Sequence, residues 1–153
     1  MKISTKGRYG LRAMLDLAKH TKNGETVSVQ SISERQNISE SYLEQLVSLL
    51  KKAGLIESVR GANGGYRLSR DESQISVGDI LRACEGDIEV VSCSAKDTDG
   101  SCNQSGKCAA KVVWEAINNA IESAVDGIML SSLTDESLGL SEEDELDTEK
   151  CIN

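Results

Sequence analysis

Three cysteines in one polar stretch are the residues of this chain whose types and spacing suggest chemistry. Cys93, Cys102 and Cys108 follow the pattern Cys-x8-Cys-x5-Cys, and the residues between them are polar and punctuated by glycine. No apolar periodicity runs through the stretch, so core packing does not account for it. Thiolates are soft donors that favour iron-sulfur clusters or zinc over hard cations. The pattern therefore predicts a loop whose thiols hold a metal group or respond to oxidants.

The spacing helps to separate the possible uses of these thiols. Structural zinc sites usually have paired Cys-x2-Cys spacings, whereas wide gaps of eight and five residues suit an iron-sulfur cluster lying over a loop. Free or redox-active thiols are the remaining interpretation. A thiol enzyme would need a base and a pocket, but the chain has 1 histidine and no Cys-x2-Cys redox motif. We therefore expect that the protein is not an enzyme.

The composition favours a helical protein of the cytoplasm. The chain has 153 residues, no phenylalanine and 3% aromatic residues, so its core must be built from Leu, Ile, Val and Ala. Such a core suits helices. No apolar run approaches the roughly 20 residues of a membrane span, and the first residues lack the apolar region of a signal peptide. In the reducing cytoplasm, clustered cysteines bind metal or sense redox state more often than they form disulfides.

Charge is divided unevenly along the chain. Residues 1–70 hold 12 Lys and Arg against 6 Asp and Glu, whereas residues 71–153 hold 5 against 19. The net charge of −8 thus combines a front half of +6 with a rear half of −14. A basic front half indicates a module that binds a polyanion such as double-stranded DNA.

The front half has the pattern of a helix-turn-helix unit. A first helix is predicted from an amphipathic stripe that precedes Asn23-Gly24 and consists of Leu11, Met14, Leu15 and Ala18. Ser28 is the expected N-cap of a second helix, which ends at Asn37, a residue that tolerates a left-handed turn. Ser39 is the expected cap of a third helix with a stripe of buried leucine and valine.

The third helix is the predicted recognition helix, because its polar face lies opposite the apolar stripe. A recognition helix touches base edges in the major groove near its N-terminal end. The residues predicted to bind DNA from this helix and its cap are Ser39, Glu40, Ser41, Tyr42, Glu44 and Gln45.

A β-hairpin wing is predicted directly after this helix. Two short strands, Leu55 to Val59 and Tyr66 to Leu68, flank a glycine-rich tip that matches neither the P-loop nor the dinucleotide-binding fingerprint. Glycines let such a tip approach DNA closely, and arginines at its base can reach the backbone or a narrow minor groove. The wing residues predicted to bind DNA are Arg60, Gly61, Gly64, Gly65 and Tyr66.

The rear half is predicted to carry a fourth helix, the cysteine loop and a long dimerisation helix. Ser76 and Asp79 form a start that resembles a capping box, and Cys84 falls on the apolar face of that helix as a buried small hydrophobe. A long apolar stripe after Cys108 predicts a two-fold dimer. The residues predicted to pack in this dimer are Val113, Ile117, Ala120, Ile121, Ala124 and Ile128.

Together these features predict a mainly α protein with a small hairpin wing, divided into four parts. Residues 1–84 are the expected winged helix-turn-helix domain, and residues 85–108 the cysteine-bearing loop. Residues 109–134 are the expected dimerisation region. Residues 135–153 form an acidic tail that contains Cys151 and is too charged to fold on its own.

Three motifs resemble the Rrf-two family of bacterial regulators. They are Met1 to Leu11, Ile38 to Leu46 and Ser58 to Tyr66, and the resemblance covers about residues 1–133. It implies a homodimeric winged-helix transcription factor whose three-cysteine loop ligates a 2Fe-2S or 4Fe-4S iron-sulfur cluster in the cluster-binding members. It also implies that Glu44 helps to choose between classes of DNA site, since a carboxylate repels phosphates and accepts from donors such as cytosine N4.

The chain departs from the family pattern where relatives keep a fourth ligand. Members of the IscR type carry a histidine three residues after the third cysteine, where this chain has Lys111. Members of the NsrR type offer an aspartate where this chain has Arg8, and the CymR type lacks the cysteines. The candidates left open for the fourth position are His20, Glu85, Glu89, Asp97, Asp99 and an exogenous thiol.

The resemblance leaves three regulatory functions to distinguish. The first is a sensor of iron-sulfur status that controls genes for cluster biogenesis, with cluster-assembly proteins as further partners. The second is an apo repressor of cysteine and sulfur metabolism that acts through a partner such as a cysteine-synthesis protein. The third is a nitric-oxide sensor.

Overall fold

Helices and one β-hairpin make up the part of the chain that the computed structural model describes, which is residues 3–88, 90 and 108–134. The elements follow the order α1, α2, α3, β1, β2, α4, α5 and α6. Their bounds are Thr5–His20, Val29–Gln36, Glu40–Lys52, Ile56–Val59, Gly65–Leu68, Val77–Glu85, Ala109–Gly127 and Leu130–Thr134. The predicted fold class, a mainly α winged helix, is confirmed.

Local capping residues set the ends of the first helices. Helix α1 begins at Thr5, well before the apolar stripe, because the hydroxyl of Ser4 accepts a hydrogen bond from the Lys6 amide at 3.1 Å. Ser28 caps α2 in the same way, as predicted. Asn37 ends α2 in the left-handed conformation, with φ 50° and ψ 48°, which asparagine adopts more readily than most residues. Ser39 takes the N-cap position of α3, but its side chain makes no capping bond within the described residues.

The core joins the front helices to the end of the described chain. Its largest fully buried apolar side chains come from α1, α2, α3, β1, α4 and α6, and from the segment before α4. They are Met14, Leu17, Ile32, Leu43, Leu46, Leu50, Ile56, Ile75, Ile80 and Leu130. Most are aliphatic, as the composition predicted, and the burial of such side chains is the main favourable contribution to folding.

The wing is a two-stranded antiparallel sheet with one additional bridge. Ile56 pairs with Leu68 at its base and Val59 with Gly65 near its tip. Val27, which precedes α2, bridges to Tyr66 through two backbone hydrogen bonds of 2.9 and 2.8 Å. A Cβ atom on Gly65 would lie 2.7 Å from the carbonyl oxygen of Val27, so only glycine permits this approach.

Helices α4 and α5 follow the wing in the sequence and pack against each other. Ser76 and Asp79 form the reciprocal capping box predicted for α4, and Cys84 is buried on the face of α4 that meets the core, also as predicted. An ion pair between Arg82 and Asp126 joins α4 to α5.

The long rear helix is shorter than the apolar stripe suggests. It ends at Gly127, so Ile128 lies outside it, contrary to the interpretation that the stripe continues through that residue. The reason is a competing backbone contact, because the carbonyl of Ile128 accepts a hydrogen bond from the Val77 amide at 2.8 Å. Among the described residues, no helix has the length and hydropathy needed to cross a membrane.

Candidate nucleic-acid interface

Helix α3 separates a buried apolar stripe from an exposed polar face. Leu43, Leu46, Val47 and Leu50 are each at most 3% exposed. The predicted DNA-contacting residues Ser39, Glu40, Ser41, Glu44 and Gln45 are all exposed. A helix with this division can enter the major groove without exposing its apolar side chains.

A shallow groove runs along this polar face and includes a residue that the sequence interpretation missed. Lys6, in the first turn of α1, lines the groove together with Ser41, Glu44, Gln45 and Ser48 of α3. The first turn of α1 contains no acidic residue, although a helix N-terminus favours negative charge. A lysine in the first turn does not stabilise the helix, so its presence there is a sequence signal that Lys6 has a role outside α1.

Tyr42 also borders the groove but serves mainly to anchor α3. Its ring is half-buried and meets the Tyr9 ring edge to face, with centroids 6.0 Å apart. Arg12 lies over the other ring of the pair, 5.5 Å from the Tyr9 centroid. Desolvation, followed by the nearby Tyr9, Cys84 and Glu85, raises the pKa of Tyr42. The recognition helix is thus packed against α1 and the end of α4 at this point.

The wing presents a mixture of exposed and engaged groups. Arg60 and Gly61 are exposed at the root of the tip, whereas Gly64, Gly65 and Tyr66 are half-buried against the bridge to Val27. Two contacts involving residues outside the predicted set stiffen the wing. Arg67 donates to Glu57 across the strands at 2.7 Å, and Lys51 of α3 donates to the Ser58 hydroxyl at 2.8 Å.

A buried carboxylate holds the helix-turn-helix unit together. Asp16 of α1, 2% exposed, accepts two hydrogen bonds from the Arg35 guanidinium at 2.9 and 2.6 Å and one from the Gln36 amide at 3.1 Å. Arg12 donates in turn to the Gln36 carbonyl at 2.8 Å. These bonds fix the last turn of α2, immediately before the Asn37 turn that leads to the recognition helix.

Only two cysteines lie within the described residues, and one is buried whereas the other is exposed. Burial, with a smaller effect of Glu85, raises the pKa of the Cys84 thiol to about 11, so this thiol is protonated at neutral pH and is a poor ligand. Cys108 is exposed at the N-cap of α5. Cys93 and Cys102 lie outside the described residues. Within those residues no group of three or more Cys, His, Asp or Glu could hold a metal ion.

The candidates for a fourth ligand are also divided. His20 approaches the Asp16 carbonyl oxygen through Nδ1 at 2.8 Å on α1. Lys111, which is not a candidate but replaces the histidine of the IscR-type pattern, forms a 3.7 Å ion pair with Glu115. The Oε1 atom of Glu85 accepts two backbone hydrogen bonds, from Ser4 and Gly7. Glu89, Asp97 and Asp99 lie outside the described residues.

The outward face of α5 is apolar, and several of its described side chains are exposed. Val113 is 55% and Ile117 37% exposed, and Val112, which was not predicted, is 68% exposed. Ala120 and Ala124 are exposed, whereas Ile121 is half-buried. Exposed apolar patches of this kind usually mark a protein interface.

A match to a family model identifies the class of protein to which this chain belongs. Residues 3–136 match the Rrf2 family, described as an iron-dependent transcriptional regulator. The chain belongs to the Rrf2 family. Its helix-turn-helix and wing are therefore those of a DNA-binding transcriptional regulator, and the resemblance inferred from the sequence motifs is confirmed.

Individual Rrf2 proteins match most of the chain. The HTH-type transcriptional regulator IscR of Aliivibrio salmonicida is 44% identical over 133 residues, which are 87% of this chain and 77% of that protein. The structure of CymR, the global cysteine regulator of B. subtilis, has a TM-score of 0.71 and 42% identity and covers 88% of this chain and 96% of its own. The T. potens IscR structure has a TM-score of 0.69 and 44% identity, with coverages of 87% and 85%.

Proposed function

We propose that this Rrf2 protein is a homodimeric regulator that senses iron-sulfur cluster status through Cys93, Cys102 and Cys108 and controls genes for cluster biogenesis. The observation that carries the proposal is the position of Cys108. Its exposed thiol lies at the N-cap of α5, at the end of the segment that separates α4 from the outward apolar helix. The other two thiols precede it by 6 and 15 residues in that same segment.

The donor set fits an iron-sulfur cluster. Three thiols are soft ligands, and the helix N-terminus beside Cys108 favours the negative charge that a thiolate cluster carries. Cys93, Cys102 and Cys108 would hold the cluster, with the fourth position taken by another residue or by an exogenous thiol. When bound, a cluster supplies a link between these thiols that is lost when iron is scarce or when oxidants attack it.

The DNA-binding half of the proposal assigns roles to the two exposed surfaces. The polar face of α3 enters the major groove, where Glu44 and Gln45 meet base edges, and Arg60 of the wing contacts the backbone or minor groove. Ser39, Glu40, Ser41, Tyr42, Gly61, Gly64, Gly65 and Tyr66 complete the proposed contact surface. A carboxylate such as Glu44 accepts from cytosine and repels phosphate, so its orientation affects the choice of site.

The dimer half of the proposal rests on the apolar face of α5. Val113, Ile117, Ala120, Ile121 and Ala124 pack against their counterparts in a second chain, with Ile128 at the edge of that interface. Two-fold pairing would place two recognition helices about one DNA turn apart, as a palindromic site requires. The cysteine segment precedes α5 directly, so its state can influence the geometry of the pair.

Metal content tests the proposal. Protein purified without oxygen should show a visible absorption band, with stoichiometric iron and sulfide. A Cys102→Ala variant should lose both, whereas the Cys84→Ala control should keep both, since Cys84 is buried in the hydrophobic core. Wild-type protein without iron, sulfide or a visible band would overturn the cluster function.

A second regulatory function is favoured by one observation. The B. subtilis CymR structure is about as similar to this chain as the T. potens IscR structure, and the chain has Lys111 where the IscR-type pattern has histidine. An apo repressor of cysteine metabolism would act through a partner protein rather than a metal. It would bind its DNA equally well with and without iron, so the same metal analysis separates the two functions.

A further inference from the structure

Glu85 makes an unusual long-range contact with the start of α1. It is the last residue of α4, and its Oε1 atom accepts hydrogen bonds from the Ser4 amide at 2.8 Å and the Gly7 amide at 2.9 Å. The first amides of a helix have no partner within the helix, and a negative charge at this end is favourable. Glu85 therefore serves as an N-terminal cap for α1, across 81 residues of sequence.

Two glycines in α1 make room for this contact. A Cβ atom on Gly7 would lie 2.6 Å from Oε1 of Glu85 and 3.1 Å from Cδ2 of Leu81. One turn further along, Gly10 packs directly against the Sγ atom of Cys84. An added Cβ at Gly7 would therefore push the end of the flexible Glu85 side chain away, and one at Gly10 would clash with the Cys84 thiol. The end of α4 is thus seated in a notch on α1.

The first turn of α1, which Glu85 caps, also borders the groove along the polar face of α3. Lys6 lies between Ser4 and Gly7 and lines the groove beside Ser41 and Gln45 of the recognition helix. The first turn of α1 has no acidic residue of its own, so the carboxylate of Glu85 supplies the negative charge that stabilises this helix end. The position of Lys6 relative to α3 therefore depends on the contact made by Glu85.

We propose that Glu85 is a positioning residue for DNA binding, which holds the first turn of α1 so that Lys6 contacts a phosphate beside the recognition helix. The inference rests on the DNA-binding half of the proposed function and is independent of the cluster. For a variant without the Glu85 carboxylate, the proposal predicts a change in DNA affinity opposite to the change expected from net charge alone. Removing a carboxylate makes the net charge less negative and should tighten DNA binding, whereas losing the position of Lys6 should weaken it.

The test compares full-length variants on one DNA duplex that the wild-type chain selects from a random-sequence library. Glu85→Ala should raise the Kd roughly tenfold and reduce the slope of log K against log salt by about 1, as expected for one lost phosphate contact. Glu85→Gln keeps an acceptor oxygen and should fall between Glu85→Ala and wild type. Gly7→Ala displaces the carboxylate without changing the charge and should resemble Glu85→Ala.

Glu115→Gln is the matched control, because it removes the same charge from a surface ion pair on α5. It should leave the Kd unchanged or slightly lower. Amide hydrogen exchange provides a reading that does not depend on DNA. The Ser4 and Gly7 amides should exchange faster in Glu85→Ala than in wild type, while melting curves show which variants remain folded at the assay temperature.

Each outcome bears on the proposal. Weaker binding by both Glu85 variants, before and after iron is removed with a chelator, supports it. Binding as tight as that of Glu115→Gln, or unchanged exchange at Ser4 and Gly7, overturns it. An effect confined to iron-loaded protein also overturns it, because Glu85 would then act through the metal. A wild-type chain that selects no duplex would overturn the DNA-binding function itself.

Discussion

The buried contact between Asp16 and Arg35 predicts an asymmetric response to mutation. The Asp16 side chain is 1% exposed, whereas the Arg35 side chain is 34% exposed. Removing the arginine therefore leaves a charge in the core, but removing the aspartate leaves a guanidinium that water can reach. We predict that Arg35→Met destabilises the protein considerably more than Asp16→Asn.

The structure sets the sizes of the two effects. Breaking a buried pair by removing one partner costs about 3–5 kcal/mol. Because Gln36 still donates to Asp16 at 3.1 Å, we expect the lower end for Arg35→Met, about 3 kcal/mol, or roughly 6–12 °C in Tm for a chain of this size. Asp16→Asn should cost about 1 kcal/mol, since one neutral hydrogen bond can remain and the arginine is partly hydrated.

Urea unfolding followed by circular dichroism measures these differences. The double variant Asp16→Leu with Arg35→Met removes both charges and should lie within about 1 kcal/mol of wild type, because well-packed apolar side chains replace buried ion pairs at little cost. Equal effects of the two single variants, or a double variant less stable than Arg35→Met, would contradict the assignment of Asp16 as the buried partner.

Three further predictions concern the turn, the buried thiol and the apolar helix face. Asn37→Ala should cost about 1 kcal/mol in urea unfolding, because alanine resists the left-handed conformation, whereas Asn37→Gly should stay close to wild type. Burial raises the pKa of Cys84 to about 11, so above about pH 9 the unfolded chain loses a proton that the folded chain keeps. The stability of wild type should therefore fall by roughly 2 kcal/mol more than that of Cys84→Ala between pH 8 and 10.5. Ile117→Glu and Val113→Glu should sediment as monomers of 16.4 kDa, because the charge would be buried in the proposed dimer.

Clear results would contradict each of the three. Equal stability of the alanine and glycine variants would show that residue 37 is not held in the left-handed region. Parallel pH profiles for wild type and Cys84→Ala would mean that the thiol is solvated. A glutamate variant that sediments as a dimer would place the interface elsewhere.

Features set by neighbouring residues could be predicted from the sequence. Ser28 and Asn37 mark the ends of α2 through capping and turn chemistry, and the reciprocal pair Ser76 and Asp79 starts α4. The buried state of Cys84 followed from its place in an apolar stripe. Each of these signals lies within a few residues of the structure that it specifies, so it can be recognised without knowledge of the packing.

The contacts that join distant elements could not be predicted in this way. The sequence indicates Glu85 only as a candidate metal ligand, because its bond to Ser4 depends on how α4 packs on α1. Lys6 reaches the recognition helix only because the two helices are neighbours in space. The stripe on α5 likewise gave no sign that Val77 would bind the backbone of Ile128 and end the helix early. The predicted division of the chain into four parts and the ligand roles of the cysteines stay predictions.

The most direct test of cluster sensing is the affinity of the full chain for DNA with and without its cluster. Fluorescence anisotropy on a panel of library-selected duplexes would compare anaerobic wild type, the Cys102→Ala variant and the Cys84→Ala control. We expect wild type and Cys84→Ala to share one order of site preference, and Cys102→Ala to differ from both in affinity or preference. Identical isotherms for all three proteins on every duplex would contradict this expectation.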